Sequence, residues 1–87
     1  MMVSTKGRYA LRVMLDIAEH KEEGYLSLGD IAQRQEVSLK YLEAIVASLC
    51  RAELLESKRG KAGGYALTKE ISDYTIGEII KAAEGGL

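Results

Sequence analysis

Two serines eleven positions apart, Ser27 and Ser38, each stand where a polar stretch gives way to a helically periodic apolar one. They leave room between them for only a short helix and a tight turn. Asp30 lies three positions after Ser27, a capping-box arrangement in which Asp replaces the commoner Glu or Gln. Leu26 and Ile31 occupy the positions of a hydrophobic staple, so a second helix is expected from Leu28 to about Arg34. Ser38 repeats the device, with Val37 and Leu42 as its staple, after a turn of about four residues from Gln35 to Ser38. Two helices joined this tightly make a helix–turn–helix, whose second helix can enter a major groove. No glycine occupies the turn.

The flanking segments complete a known order of elements. Thr5 to about Glu22 reads as a first helix ended by Gly24, with Ala10, Val13, Met14 and Ile17 at helical spacing and Leu11, Leu15 and Ala18 widening the stripe. So broad an apolar arc puts this helix at the centre of the core. The third helix buries Leu39, Leu42, Ile45, Val46 and Leu49 and exposes Lys40, Glu43, Ala44, Ala47 and Arg51. Leu54 to Lys58 and Tyr65 to Thr68 read as two short strands around a glycine-rich tip. Thr75 and Glu78 form a full capping box opening a last helix, with Tyr74 and Ile79 as staple, Ile76, Ile79, Ile80 and Ala83 as apolar face, and Gly85 as stop. The fold class expected is mainly α (α+β): a winged helix–turn–helix of three helices, a two-stranded wing and a C-terminal helix.

Eighty-seven residues support one core, so residues 1–87 are read as a single domain. No apolar run is long enough for a membrane span or a signal peptide. The one cysteine, Cys50, cannot form an internal disulfide, which fits a reducing cytoplasm. The net charge of −1 conceals an uneven distribution. Residues 1–14 carry Lys6, Arg8 and Arg12 with no acid, and residues 57–69 carry Lys58, Arg59, Lys61 and Lys69 with no acid. The acids concentrate in residues 15–36 and 70–87. Such a chain presents positive faces on a near-neutral molecule, and the local field steers a polyanion more than the total does. Charge alone leaves open two ordinary solvated patches.

The segment Ser57-Lys58-Arg59-Gly60-Lys61-Ala62-Gly63-Gly64-Tyr65 combines three cations with three glycines. Glycine permits positive φ and close approach of another surface, and the cations attract phosphate. Arg59 beside Gly60 suits a narrow minor groove, with Lys58 and Lys61 on phosphates. On helix three, Ala44 and Ala47 would let the axis come close to a duplex. Lys40 can donate to guanine and Glu43 can accept from cytosine, although the same pair also reads as a solvated i, i+3 couple. Lys6 and Arg8 are phosphate-contact candidates, whereas Arg12 can pair with Asp16 one turn on. Cys50 beside the buried stripe reads as a small core residue, and His20 needs no function. With one cysteine and one histidine, no metal or iron–sulfur site and no cofactor is expected. No nucleophile–base pair or phosphate loop supports catalysis.

Ser4 to Ala10, Ser38 to Glu43, Ser57 to Gly60, Gly63 to Tyr65 and the closing Ile79 to Gly85 closely resemble the bacterial Rrf2 family of regulators, which includes IscR, CymR and NsrR. The resemblance covers nearly the whole chain. It implies a homodimeric transcription factor, a repressor, on a roughly palindromic operator of double-stranded DNA. It implies base reading by Ser38, Lys40 and Glu43 and minor-groove insertion of Arg59. The full contact set expected is Lys6, Arg8, Ser38, Lys40, Tyr41, Glu43, Arg51, Lys58, Arg59, Gly60, Lys61, Gly63 and Gly64, with helix 38–53 in the major groove and wing 57–65 in the minor groove. Iron–sulfur-sensing members commonly carry a small hydroxyl residue and a glutamine where this chain has Lys40 and Ala44, which implies a different operator preference. The wing is closer to that of the cysteine-metabolism repressor than to proline-containing wings. The family's long dimerisation helix and sensor loop are not in these 87 residues, so weaker dimerisation is expected. The competing reading is a winged-helix module that binds a protein, for which the exposed face of helix three should be apolar or acidic.

Overall fold

Each helix starts where a hydroxyl side chain can accept one of the backbone N–H groups that a first turn leaves unpaired. In the computed structural model, which describes residues 3–85, four such caps are formed. The ends of the 1–87 reading, residues 1–2 and 86–87, lie outside the described residues. Ser4 caps α1 (Thr5–Glu19), Ser27 caps α2 (Leu28–Gln35), Ser38 caps α3 (Leu39–Arg51) and Thr75 caps α4 (Ile76–Ala83). Thr75 and Glu78 make both bonds of a capping box. Between α3 and α4 lies an antiparallel hairpin, β1 (Leu55–Lys58) and β2 (Gly64–Leu67), with Leu55 opposite Leu67 and Lys58 opposite Gly64.

Three details differ from the sequence expectation. First, α1 stops at Glu19 rather than Glu22, and Lys21–Glu23 tighten into a 3₁₀ turn whose N–H groups bond three residues back. Second, Leu15, Leu39 and Ile76 are 55%, 48% and 66% exposed instead of buried. Leu39 and Ile76 are each the first residue of a helix, where the apolar stripe runs past the end of the core. Third, Leu26 extends the hairpin. Its N–H and C=O exchange hydrogen bonds of 3.0 and 2.8 Å with Tyr65, adding a single rung beside β2. The core otherwise follows the periodicity, with Val13, Met14 and Ile17 of α1 packed against Ile31, Leu42, Ile45, Leu49 and Ile79.

Arg12 does not pair with Asp16 as its spacing suggested. Asp16 is only 3% exposed and faces α2, where Arg34 donates to it from Nε and Nη2 at 3.0 and 2.7 Å. Gln35 Nε2 donates to the same carboxylate at 2.9 Å. Arg12 instead donates to the Gln35 side-chain and backbone oxygens at 2.9 and 3.3 Å, and its guanidinium lies 4.7 Å from the centre of the Tyr9 ring. Gln35 is thus held from both sides at the end of α2. His20 also differs from a solitary residue, since its Nδ1 lies 2.8 Å from the Asp16 carbonyl oxygen.

The two turns that bracket α3 share one geometry. Glu36 (φ 56°) and Glu53 (φ 63°) adopt the left-handed conformation that helix C-termini ordinarily give to glycine. At each, the next residue's N–H reaches back to close the helix: Val37 to Ala32 at 3.1 Å and Leu54 to Leu49 at 2.9 Å. Tyr74 braces the second turn, accepting from the Thr68 N–H at 2.9 Å and donating to the Leu54 carbonyl at 2.8 Å.

Two stability outcomes follow. Glu53→Gly should relieve left-handed strain and remove an acid from a helix C-terminus, raising stability by about 0.5–1 kcal/mol; a lower Tm in thermal unfolding would contradict this account. Burial pushes the Asp16 carboxyl up, but hydrogen bonds from Arg34 and Gln35 and the charges of Arg34 and His20 outweigh it and hold the group below its ordinary 3.8. Its stabilisation is therefore complete above the unfolded-state value of about 3.9 and is lost as pH falls through the lower folded value. Asp16→Asn should cost about 2 kcal/mol at pH 7. Denaturant titrations of both proteins should show that difference shrinking below about pH 4, and a constant difference across that range would refute the role given to the carboxylate.

Candidate nucleic-acid interface

A helix N-terminus carries a partial positive charge, so acids stabilise it and cations cost about 0.3–1 kcal/mol there. α2 and α4 obey this, with Asp30 and Glu78 in their first turns. α1 and α3 invert it. Neither has an acid in its first turn, and Lys6 and Lys40 stand there, with exposed Arg8 next along α1. Such placement is unfavourable for an isolated helix and suits an approaching anion.

α3 exposes Leu39, Lys40, Glu43, Ala44, Ala47 and Arg51, with Tyr41 half-buried. Among the described residues no ion pair joins Lys40 to Glu43, so both heads are free to meet another molecule. Ser38 Oγ accepts from the Tyr41 N–H at 3.0 Å, leaving its own hydroxyl hydrogen to donate elsewhere. The Tyr41 ring meets Tyr9 edge-on, centroids 5.7 Å apart and planes at 88°. Tyr41 thereby ties the first turn of α3 to α1, which in turn is held by Arg12 and Gln35. Arg51 donates to Ser48 Oγ at 3.1 Å, which partly restrains its head.

The wing has an anchored root and an open tip. Arg59, Gly60, Lys61 and Ala62 are exposed, and the Gly63 N–H closes the turn onto the Gly60 carbonyl at 3.0 Å. Lys58, at the end of β1, places its ammonium 5.6 Å from the centre of the Tyr25 ring. Gly63 and Gly64 have reasons internal to the fold. A Cβ on Gly63 would overlap the Lys58 carbonyl, and one on Gly64 (φ 144°) would overlap the Leu26 backbone. The sequence grouped all three glycines with the contact surface; the structure separates Gly60 at the tip from two that let backbones meet.

Three features escaped the sequence reading. Exposed Leu39 looked like part of the buried stripe, and only the end of the core distinguishes it. The Leu26–Tyr65 rung was hidden because a one-residue bridge leaves no periodicity. The Asp16–Arg34 pair spans 18 positions, beyond any local spacing rule. Cys50 is half-buried, and burial pushes its thiol up, away from the reactive thiolate form. Among the described residues no group of three or more His, Cys, Asp or Glu side chains could hold a metal ion. With one cysteine and one histidine in the chain, the described residues offer no donor set that fits an iron or iron–sulfur site. Among the described residues no helix is long and apolar enough to cross a membrane.

Residues 3–87 match the family described as Rrf2, iron-dependent transcriptional regulator. IscR from Serratia proteamaculans, described as an HTH-type transcriptional regulator, is 44% identical over 97% of the chain and 51% of its own length. The structure of T. potens IscR superposes with a TM-score of 0.86 at 46% identity, covering 94% of this chain and 60% of that one. CymR, the global cysteine regulator of B. subtilis, superposes with a TM-score of 0.91 at 45% identity, covering 98% and 66%. The chain spans about half the length of the curated relatives it matches. These relatives are regulators of transcription rather than enzymes, and their winged-helix fold is the one described above. With its cation-bearing helix starts and its glycine-rich wing, this chain belongs to the Rrf2 family of helix–turn–helix transcription regulators.

Proposed function

We propose that residues 1–87 form one winged-helix domain that binds double-stranded DNA in the cytoplasm and represses transcription by occupying an operator. Two copies would sit on a palindromic site, each with α3 in the major groove and the wing tip in the minor groove. Ser38, Lys40 and Glu43 read base edges, and Tyr41 and Arg51 hold the backbone beside them. Arg59 enters the minor groove with Gly60 allowing its approach, while Lys6, Arg8, Lys58 and Lys61 contact phosphates. Gly63 and Gly64 serve the interface by shaping the wing. The domain itself carries no cofactor in this reading. The observation that carries it is the inverted charge placement: α1 and α3 accept cations in first turns where α2 and α4 carry acids.

Salt dependence tests the proposal. Five cations on the DNA backbone, Lys6, Arg8, Arg51, Lys58 and Lys61, would give log K against log [salt] a slope of roughly −4.5 per domain on a duplex selected from a random pool. A flat response would favour a protein-binding module instead. Arg59→Ala should cost about tenfold on sites with a narrow A·T-rich minor groove and less elsewhere; an equal loss on all sequences would reduce Arg59 to a phosphate contact. Glu43→Ala should relax base preference at one position of each half-site, and an unchanged preference in a repeated selection would remove Glu43 from the reading set.

A further inference from the structure

Four large apolar side chains are exposed among the described residues, Leu15, Leu39, Ile71 and Ile76, and of these Leu39 alone stands on α3. It is 48% exposed, at the first position after the Ser38 cap. Residues at the N-terminal end of a recognition helix are those that reach base edges. The remainder of the exposed face is cationic, acidic or no larger than alanine, so Leu39 is the one bulky apolar group this face offers. Leu39 and Glu43 are i, i+4 neighbours, which puts their Cβ atoms roughly 5–6 Å apart on the same flank. A major groove presents one apolar feature to such a side chain, the C5-methyl group of thymine.

We infer that Leu39 is a specificity-determining residue that reads a thymine methyl in each half-site, an inference that rests on the DNA-binding reading above. With a base-pair rise of roughly 3.4 Å, the thymine lies one or two base pairs from the base that Glu43 reads. Recognition here is by exclusion of water from a methyl, so it needs no hydrogen bond and no charge. It therefore adds sequence information without adding to the salt dependence.

Replacing thymine by deoxyuridine removes this methyl and nothing else. Duplexes selected by the protein from a random pool would be resynthesised with each thymine exchanged singly, and bound by the unaltered chain, by Leu39→Ala and by Leu39→Gln. The unaltered chain should lose about fourfold at one thymine per half-site, the effect of one buried methyl. Both variants should bind the thymine duplex more weakly and show no further loss on exchange, with an unchanged Tm and an unchanged salt slope. A deoxyuridine penalty that persists undiminished in both variants overturns the inference and passes the contact to Ala44 or Ala47. A selected sequence with no methyl-sensitive thymine overturns it alone. Failure to select any sequence overturns the DNA-binding reading with it.

Discussion

The carboxylate of Asp16, buried between α1 and α2, sets the geometry on which the recognition helix depends. A buried acid is costly unless every lone pair finds a donor. Arg34 and Gln35 supply those donors from the last turn of α2. That requirement fixes where α2 ends, and α3 begins only after the turn that follows. Arg12 then clamps Gln35 from the other side and rests on Tyr9, whose ring meets Tyr41 in the first turn of α3. A buried charge thus sets the start of a helix whose exposed end is free to meet a ligand. An apolar core alone would resist sliding less, because dispersion contacts have no preferred register.

The helix that this frame presents is unusual in its surroundings more than in its residues. Both bracketing turns use glutamate in the left-handed conformation, and its first turn carries Lys40 with no acid. Each choice costs stability locally. Together they describe a segment whose composition answers to something outside the domain, in contrast to α4, which combines an acid in its first turn, a complete capping box and a buried apolar face.

The main elements were legible because their starts and stops are local. Ser27, Ser38 and Thr75 announce helices through bonds made within three residues, and glycines mark the turn between the wing's strands. What could not be read was anything that depends on a distant partner. Arg12 had a plausible acid at Asp16 one turn away, but the better-placed Arg34 takes that carboxylate and Arg12 turns to Gln35. Leu39 and Ile76 matched the periodicity of their helices, yet a periodic pattern does not reveal where the core stops. The charged candidates of the wing and of α3 lie exposed, as their composition suggested, because no apolar neighbour competes for them. Gly64 was grouped with them because the Leu26 backbone it passes is remote in sequence, and Gly63 because its approach to the Lys58 carbonyl depends on how the tip folds back.

The rung between Leu26 and Tyr65 splits the hairpin into two regimes. Beside it, Gly64 is pressed against the Leu26 backbone with no space for even a methyl group, so the strand admits no side chain at that point. Beyond it, Arg59 through Ala62 are exposed. Arm length is consequently uncoupled from foldability: residues could be added or removed at the tip to change how far the guanidinium extends, while the body that carries it stays as it is.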